Sequence, residues 1–216
     1  MILFIVFILV VVSVLILQDD SLFQATPSNT QMFFQDSRSY NTLANVTHIC
    51  FFDISIDEIP KGRIEIGLFG NVVPITTRNF KELCQGTNGL SPITGYNLTY
   101  NNTFFHKIYP GAYTEAGDIH FMRGEGGESI YGFSFPDENF KILHNVPYLV
   151  AMAAKQANNN TSTFYITFSP LHHMDYRHVI FGQVIDGFET LKAIELVGSP
   201  DGYPRGQVKI TNSGEL

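Results

Sequence analysis

Apolar and polar positions alternate with a period of two where the chain first settles into a pattern. Ile54 and Ile56 alternate with Asp53, Ser55 and Asp57, and then Ile64, Ile66 and Leu68 alternate with Arg63, Glu65 and Gly67. Such a period puts one set of side chains on one face of a strand, so these residues predict an antiparallel hairpin with one buried face, turning around Pro60 and Gly62. Helical spacing is rarer. Phe80, Leu83 and Cys84 fall at i, i+3 and i+4 behind Thr76 or Thr77, either of which offers an N-cap oxygen, and Gly86 ends the segment. A second helix is predicted from about Gly187, with Phe188, Leu191 and Ile194 at three-residue spacing, stopping before Gly198 and Pro200. Two helices among many strands make a mainly β chain.

The N-terminus departs from this alternation. Residues 1–17, MILFIVFILVVVSVLIL, form an apolar run interrupted only by Ser13 and followed by Gln18, Asp19 and Asp20. The run is long for the core of a signal peptide and short of the roughly 20 residues that span a bilayer. A cleaved signal peptide and an uncleaved signal anchor both fit, and only the second leaves the protein in contact with a membrane. Residues 18–45 are polar without periodicity and are expected to form a flexible linker. Residues 46–216 then make one domain of ordinary size. Sequons at Asn45, Asn97, Asn101, Asn159 and Asn160 fit the glycosylation pattern. With the leader they point to the secretory pathway, in the endoplasmic reticulum lumen or outside the cell. Cys50 and Cys84 are open to pairing there, although Cys84 also fits a core position of its helix.

Charge and motif spacing exclude several kinds of chemistry. Acidic residues outnumber basic ones, 20 to 13, for a formal charge of −7, which leaves no footprint for a phosphate backbone and argues against nucleic acid as a partner. HHMDYRH, His172–His178, gathers histidines around Asp175 but matches no strong metal spacing, so no metal is expected. RGEGGES, Arg123–Ser129, lacks the Lys-Ser/Thr ending of a phosphate-binding loop and reads as a turn. Ser162, Ser169 and the scattered carboxylates make neither a triad nor a paired-acid signature. No cofactor is expected.

The most informative run is FFHKIYPGAYTEAGD, Phe104–Asp118. It resembles the groove-lining motif FHR-x-x-PGF-x-x-QGGD of cyclophilin-type peptidyl-prolyl isomerases. The likeness continues in register through ESIYG at Glu128–Gly132, FPDENF at Phe135–Phe140, LVAMA at Leu149–Ala153, FYIT at Phe164–Thr167 and RHVIFGQVIDG at Arg177–Gly187. Upstream, KGRIEIGLFGNVVPITTRNFKEL at Lys61–Leu83 is similar to the family's opening hairpin and first helix. The resemblance implies a closed eight-stranded antiparallel β-barrel capped by two α-helices. It also implies a monomer that turns the X-Pro bonds of proline-containing polypeptide clients.

The same alignment shows where this chain departs from the family. Lys107 stands at the place of the catalytic arginine, which keeps the charge but loses the planar fork of donors, so weakened activity is expected. In the proline pocket Tyr165 replaces phenylalanine, Met174 leucine, Ala112 phenylalanine and Tyr113 methionine, while His178 matches the family's histidine. On the side that grips the peptide backbone, Glu115 and Thr163 replace glutamines. Ala153 matches, and Ala154 replaces asparagine. Glu115 is placed to pair with Lys107, either neutralising or orienting it. His173 takes the place of a tryptophan used for cyclosporin, so weak cyclosporin binding is expected. A non-catalytic peptide-binding module or client-specific chaperone is the alternative that these substitutions leave open. The segment Leu90–Phe104 is longer than its family counterpart, and Gln156–Thr161 is Asn-rich, so a glycan at Asn159 or Asn160 would crowd the cleft.

Overall fold

The computed structural model describes residues 44–216. The leader and nearly all of the linker expected from the sequence lie outside the described residues. Among the described residues, no helix is long and apolar enough to cross a membrane.

β1 (His48–Ile56) and β2 (Ile59–Leu68) form the expected hairpin, with Phe52 opposite Ile64 and Cys50 opposite Ile66. The turn, however, falls at Asp57 and Glu58, both with positive φ, and not around Pro60 and Gly62. Two residues of positive φ give the turn a twist that matches the flanking strands, and Asp57 is held there because its carboxylate accepts the Gln207 N–H at 2.8 Å. Pro60 and Gly62 instead belong to β2, at a register shift where Ile54 faces Gly62 and Ser55 faces Pro60. Proline is tolerated at this point because pairing of β2 with its other neighbour starts only at Glu65.

α1 (Pro74–Gln85) buries Phe80, Leu83 and Cys84 as its spacing predicts, and Gly86 closes it with φ 64. Its N-terminus is not capped by Thr76 or Thr77. Val73 occupies the cap position, and the free N–H groups of Ile75 and Thr76 are taken by the carboxylate of Glu138, 62 residues further along from Thr76, at 3.1 and 2.8 Å. α2 (Phe188–Leu196) follows Gly187, whose φ is 83. A Cβ at Gly187 would stand 2.0 Å from the Arg63 carbonyl oxygen, so the strand-to-helix turn admits no side chain.

The remaining strands are β3 (Lys107–Tyr109), β4 (Tyr113–Ala116), β5 (Leu149–Met152), β6 (Phe164–Thr167), β7 (Ile180–Asp186) and β8 (Val208–Glu215). They form one eight-stranded sheet in the order β3-β4-β6-β5-β7-β2-β1-β8, with every pairing antiparallel. The barrel is less closed than the resemblance implies. β3 and β8 share no ladder, and the seam is joined by residues just before β3, where Phe105 N–H donates to Val208 O and Asn102 N–H to Ile210 O. Three-residue β3 is too short to reach across by itself, which leaves the sheet strongly curled with a bridged seam.

The interior is aromatic. Phe52, Phe80, Tyr100, Phe164 and Phe181 meet at ring-centroid distances from 4.8 to 5.8 Å, mostly tilted or edge-to-face. The buried Tyr100 hydroxyl donates to Ser162 O at 2.8 Å, so its burial strands no polar group. α1 packs on β1, β7 and β8, while α2 packs on β2 and β3. Cys50 and Cys84 are both free and buried in this core.

Candidate functional site

β3, β4 and β6 lie side by side and place the chemistry-bearing residues of the long motif on one cleft. Lys107 of β3 is directly opposite Glu115 of β4, and Glu115 is in turn opposite Tyr165 of β6. The cleft, about 220 Å³, is lined by Lys107, Tyr113, Glu115, Ala153, Ala154, Thr163, Tyr165, Met174 and His178, with His106, Gly124 and Lys155 added. Ala112 and His173 are not among its walls. Ala112 sits in the turn between β3 and β4, its carbonyl accepting Phe168 N–H at 2.7 Å, and His173 is exposed on the short 3-10 turn His172–Met174.

A salt bridge governs the cationic edge. Lys107 Nζ stands 3.0 Å from Glu115 Oε2, and His106 Nε2 approaches the same oxygen at 3.4 Å. Burial alone would raise the Glu115 pKa, but the hydrogen bonds from His106 and Lys107 outweigh it and hold the carboxyl below its usual range. Glu115 is therefore an anion at neutral pH. Lys107 keeps 41 % of its side chain exposed, and an ammonium has further N–H donors once one is given to Glu115.

The pocket wall is mostly aromatic. Tyr113 and Tyr165 meet at 5.5 Å between ring centroids, and His178 stands edge-on to Tyr165 at 5.4 Å. Burial pushes the Tyr113 phenol up to about 12, so it stays protonated at physiological pH. Burial lowers the His178 pKa. The neutral ring donates Nδ1–H to Met152 O at 2.9 Å and leaves Nε2 as an acceptor. The Thr163 hydroxyl lies 3.3 Å from Ala153 O and 3.1 Å from that of Thr161, so it is turned toward its own chain.

The loop behind the cleft is built on Asp118. Its Oδ1 accepts the N–H groups of His120 and Phe121, and its Oδ2 those of Arg123, Gly124, Glu125 and Gly126. The Gly-rich segment thus wraps a carboxylate of its own chain, as a turn. These N–H groups overcome the cost of burial and hold Asp118 at about 2. The turn presents Gly124 to the ring of His106, where a Cβ would come within 2.5 Å of Cδ2. The long segment beginning at Leu90 docks on the same loop, because Ser91 and Thr94 hydroxyls each donate to Glu128 at 2.5 Å.

One further residue behind the cleft belongs to no recognisable motif. His144 is fully buried, with Nε2 at 2.7 Å from the Tyr165 hydroxyl and Nδ1 at 2.9 Å from Asp175 Oδ1. The sequence holds at most an indirect signal, in that a tyrosine at a buried strand position needs a hydrogen-bond partner, and it does not say which residue supplies one.

The sequons are unequally placed. Asn45, Asn97 and Asn159 are exposed and Asn101 is half-buried. Asn160 is fully buried, its amide nitrogen donating to Phe135 O and Asp137 Oδ1 at 3.3 and 2.8 Å, so a glycan there is incompatible with the folded domain. Among the described residues, no cluster of His, Cys, Asp and Glu is arranged to hold a metal ion. A shallower depression of about 610 Å³ beside the start of β8 shares only His106 with the cleft.

Comparison with known proteins agrees with this geometry. Residues 51–215 match the family model described as cyclophilin type peptidyl-prolyl cis-trans isomerase/CLD. The chain is 42% identical over 168 residues to E3 SUMO-protein ligase RanBP2 of Homo sapiens, a match that covers 78% of this chain and 5% of that protein. It is 41% identical over 167 residues to peptidyl-prolyl cis-trans isomerase cyp11 of Rhizopus delemar, covering 77% of this chain and 49% of the relative. In both cases the matched region is half or less of the relative's own length.

Proposed function

Because this chain belongs to the cyclophilin-type peptidyl-prolyl cis-trans isomerases, we propose that its cleft binds proline-containing segments of client proteins and turns their X-Pro bonds, with Lys107 as a restrained hydrogen-bond donor. The barrier to be lowered is about 18–20 kcal/mol and arises from amide resonance. As the bond twists, resonance is lost and the proline nitrogen becomes pyramidal, with a lone pair able to accept a hydrogen bond. No covalent intermediate is required. The proline ring is held against Tyr113, Tyr165 and Met174, and Lys107 at the cleft edge donates to the twisted nitrogen. This donor is stronger toward the twisted state than toward the planar one, which is the condition for catalysis.

The observation that carries the reading is the Lys107–Glu115 contact of 3.0 Å at the lip of a cleft that also presents Tyr113, Tyr165 and Met174. It orients the cation that stands at the motif's arginine position, and it also competes with the substrate. Weakened turnover follows, because an ammonium shared with a carboxylate has less to offer than a planar guanidinium fork. A second reading, a peptide-binding module without catalysis, is favoured by the same contact and by Ala154, which offers the substrate no side-chain hydrogen bond. In this proposal the protein works as a monomer in the secretory pathway, supported by the apolar leader and by the exposed sequons Asn45, Asn97 and Asn159, and touches a membrane only if residues 1–17 stay attached.

Exchange NMR on a short proline peptide titrated with the protein separates the readings. Binding with faster cis/trans exchange supports the isomerase. Binding without exchange supports the module, and no binding overturns both.

A further inference from the structure

The proline pocket contains a hydroxyl that the family's phenylalanine lacks, and the structure gives it a dedicated partner. Tyr165 is almost completely buried and ends at His144 Nε2, 2.7 Å away. His144 Nδ1 faces Asp175 Oδ1 at 2.9 Å, and the same oxygen accepts the His144 backbone N–H at 2.7 Å. Asp175 immediately follows Met174, another wall of the cleft, and Leu171 N–H donates to His144 O at 2.9 Å. The rings of His144 and Tyr165 lie 17° from parallel with centroids 5.9 Å apart.

The polarity of this chain follows from its ends. Burial alone would raise the Asp175 pKa, but the bonds from His144 hold it below its usual range, so Asp175 is an acceptor only. Nδ1 must therefore carry a proton. Burial lowers the His144 pKa, leaving the ring neutral and Nε2 bare. Burial raises the Tyr165 pKa, so the phenol keeps its proton and donates it to Nε2. The charged and titratable groups around His144 are Tyr165 and Asp175, both bonded to its ring, and His173 and His178, which are not.

We propose that His144 is a positioning residue of the cleft: fixed by Asp175, it accepts the Tyr165 hydroxyl hydrogen bond and keeps that phenol turned away from the proline ring, so that Tyr165 presents only its ring to the pocket. The proposal rests on the peptide-binding reading of the cleft. It also accounts for how tyrosine is accommodated where the pocket needs apolar contact. Without the imidazole, the buried hydroxyl has to turn toward the pocket or draw in water, and either one opposes burial of proline.

The test is a binding cycle with a proline peptide, read by NMR titration of the full protein. His144→Phe is expected to weaken binding roughly tenfold in the parent, the scale of stranding one buried hydroxyl, and less than about twofold in the Tyr165→Phe background. A purely structural role for His144 would cost the same in both backgrounds and would overturn the proposal. If His144→Phe does not fold, the unsubstituted protein still decides the bond. Imidazole ¹⁵N shifts must show the Nδ1–H tautomer of His144 at neutral pH, and the Nε2–H tautomer or an imidazolium overturns it. Failure of the parent to bind any proline peptide is a different result, because it removes the peptide-binding reading itself.

Discussion

Replacing Asp118 by asparagine should cost stability in a way that depends on pH, and the structure sets the size. The carboxylate accepts N–H groups from His120, Phe121, Arg123, Gly124, Glu125 and Gly126, and is held at about 2. Relative to an ordinary aspartate, that depression is worth about 2.5 kcal/mol at pH 7. An asparagine keeps one acceptor oxygen but turns an NH₂ group toward N–H donors, so Asp118→Asn should lose about that amount. The folded-state value is depressed, so the contribution is complete above the ordinary aspartate range, falls as pH drops through 4, and is gone below about 2. Roughly half should remain at pH 3. Urea unfolding of both proteins at pH 7, 5, 4 and 3 measures this directly. A difference below about 0.5 kcal/mol at pH 7, within the range of an ordinary surface substitution, would refute the argument. So would a difference that stays constant down to pH 3.

Other consequences can be checked with simple assays. Glu138→Ala should cost about 1 kcal/mol in urea unfolding, because it uncovers the N–H groups of Ile75 and Thr76 at the start of α1; an unchanged midpoint would mean that water serves as well. Cys50 and Cys84 are free, and burial pushes the Cys84 thiol up, so a thiol reagent should find neither in the native protein and both in denaturant; fast native labelling would contradict the core packing. Cyclosporin should bind weakly, with His173 exposed and outside the cleft walls, and His173→Trp should tighten binding about tenfold in a titration; equal affinities would show that the tryptophan position is irrelevant here.

Much of the architecture was legible in the residue pattern, because burial of one face writes a period of two into β1 and β2 and three- and four-residue spacings into α1. Where the structure departs from the pattern, long-range contacts are the cause. The hairpin turn was assigned to Pro60 and Gly62 because those residues usually mark turns, whereas Asp57 adopts positive φ with support from Gln207, 150 residues further along the chain. The cap of α1 was assigned to a nearby threonine, while the actual acceptor, Glu138, arrives from a distant loop. At the site, strand register alone brought Lys107 opposite Glu115, and their pairing could be foreseen. The role of His144 could not, since its partners Tyr165 and Asp175 lie 21 and 31 residues away and meet only in the folded domain. Ala112 and His173 were placed by resemblance, which transfers positions in a motif but not the direction in which an altered side chain faces.

In the proposed mechanism Lys107 donates to the twisting proline nitrogen while Glu115 restrains it. Exchange rates for a saturating proline peptide, measured for the parent, Lys107→Ala and Lys107→Arg, test this most directly. The parent should show measurable exchange, Lys107→Ala should lose most of it with peptide affinity changed far less, and Lys107→Arg should gain severalfold or more. Exchange in Lys107→Ala as fast as in the parent would contradict this mechanism, because the donor would then have to be another group.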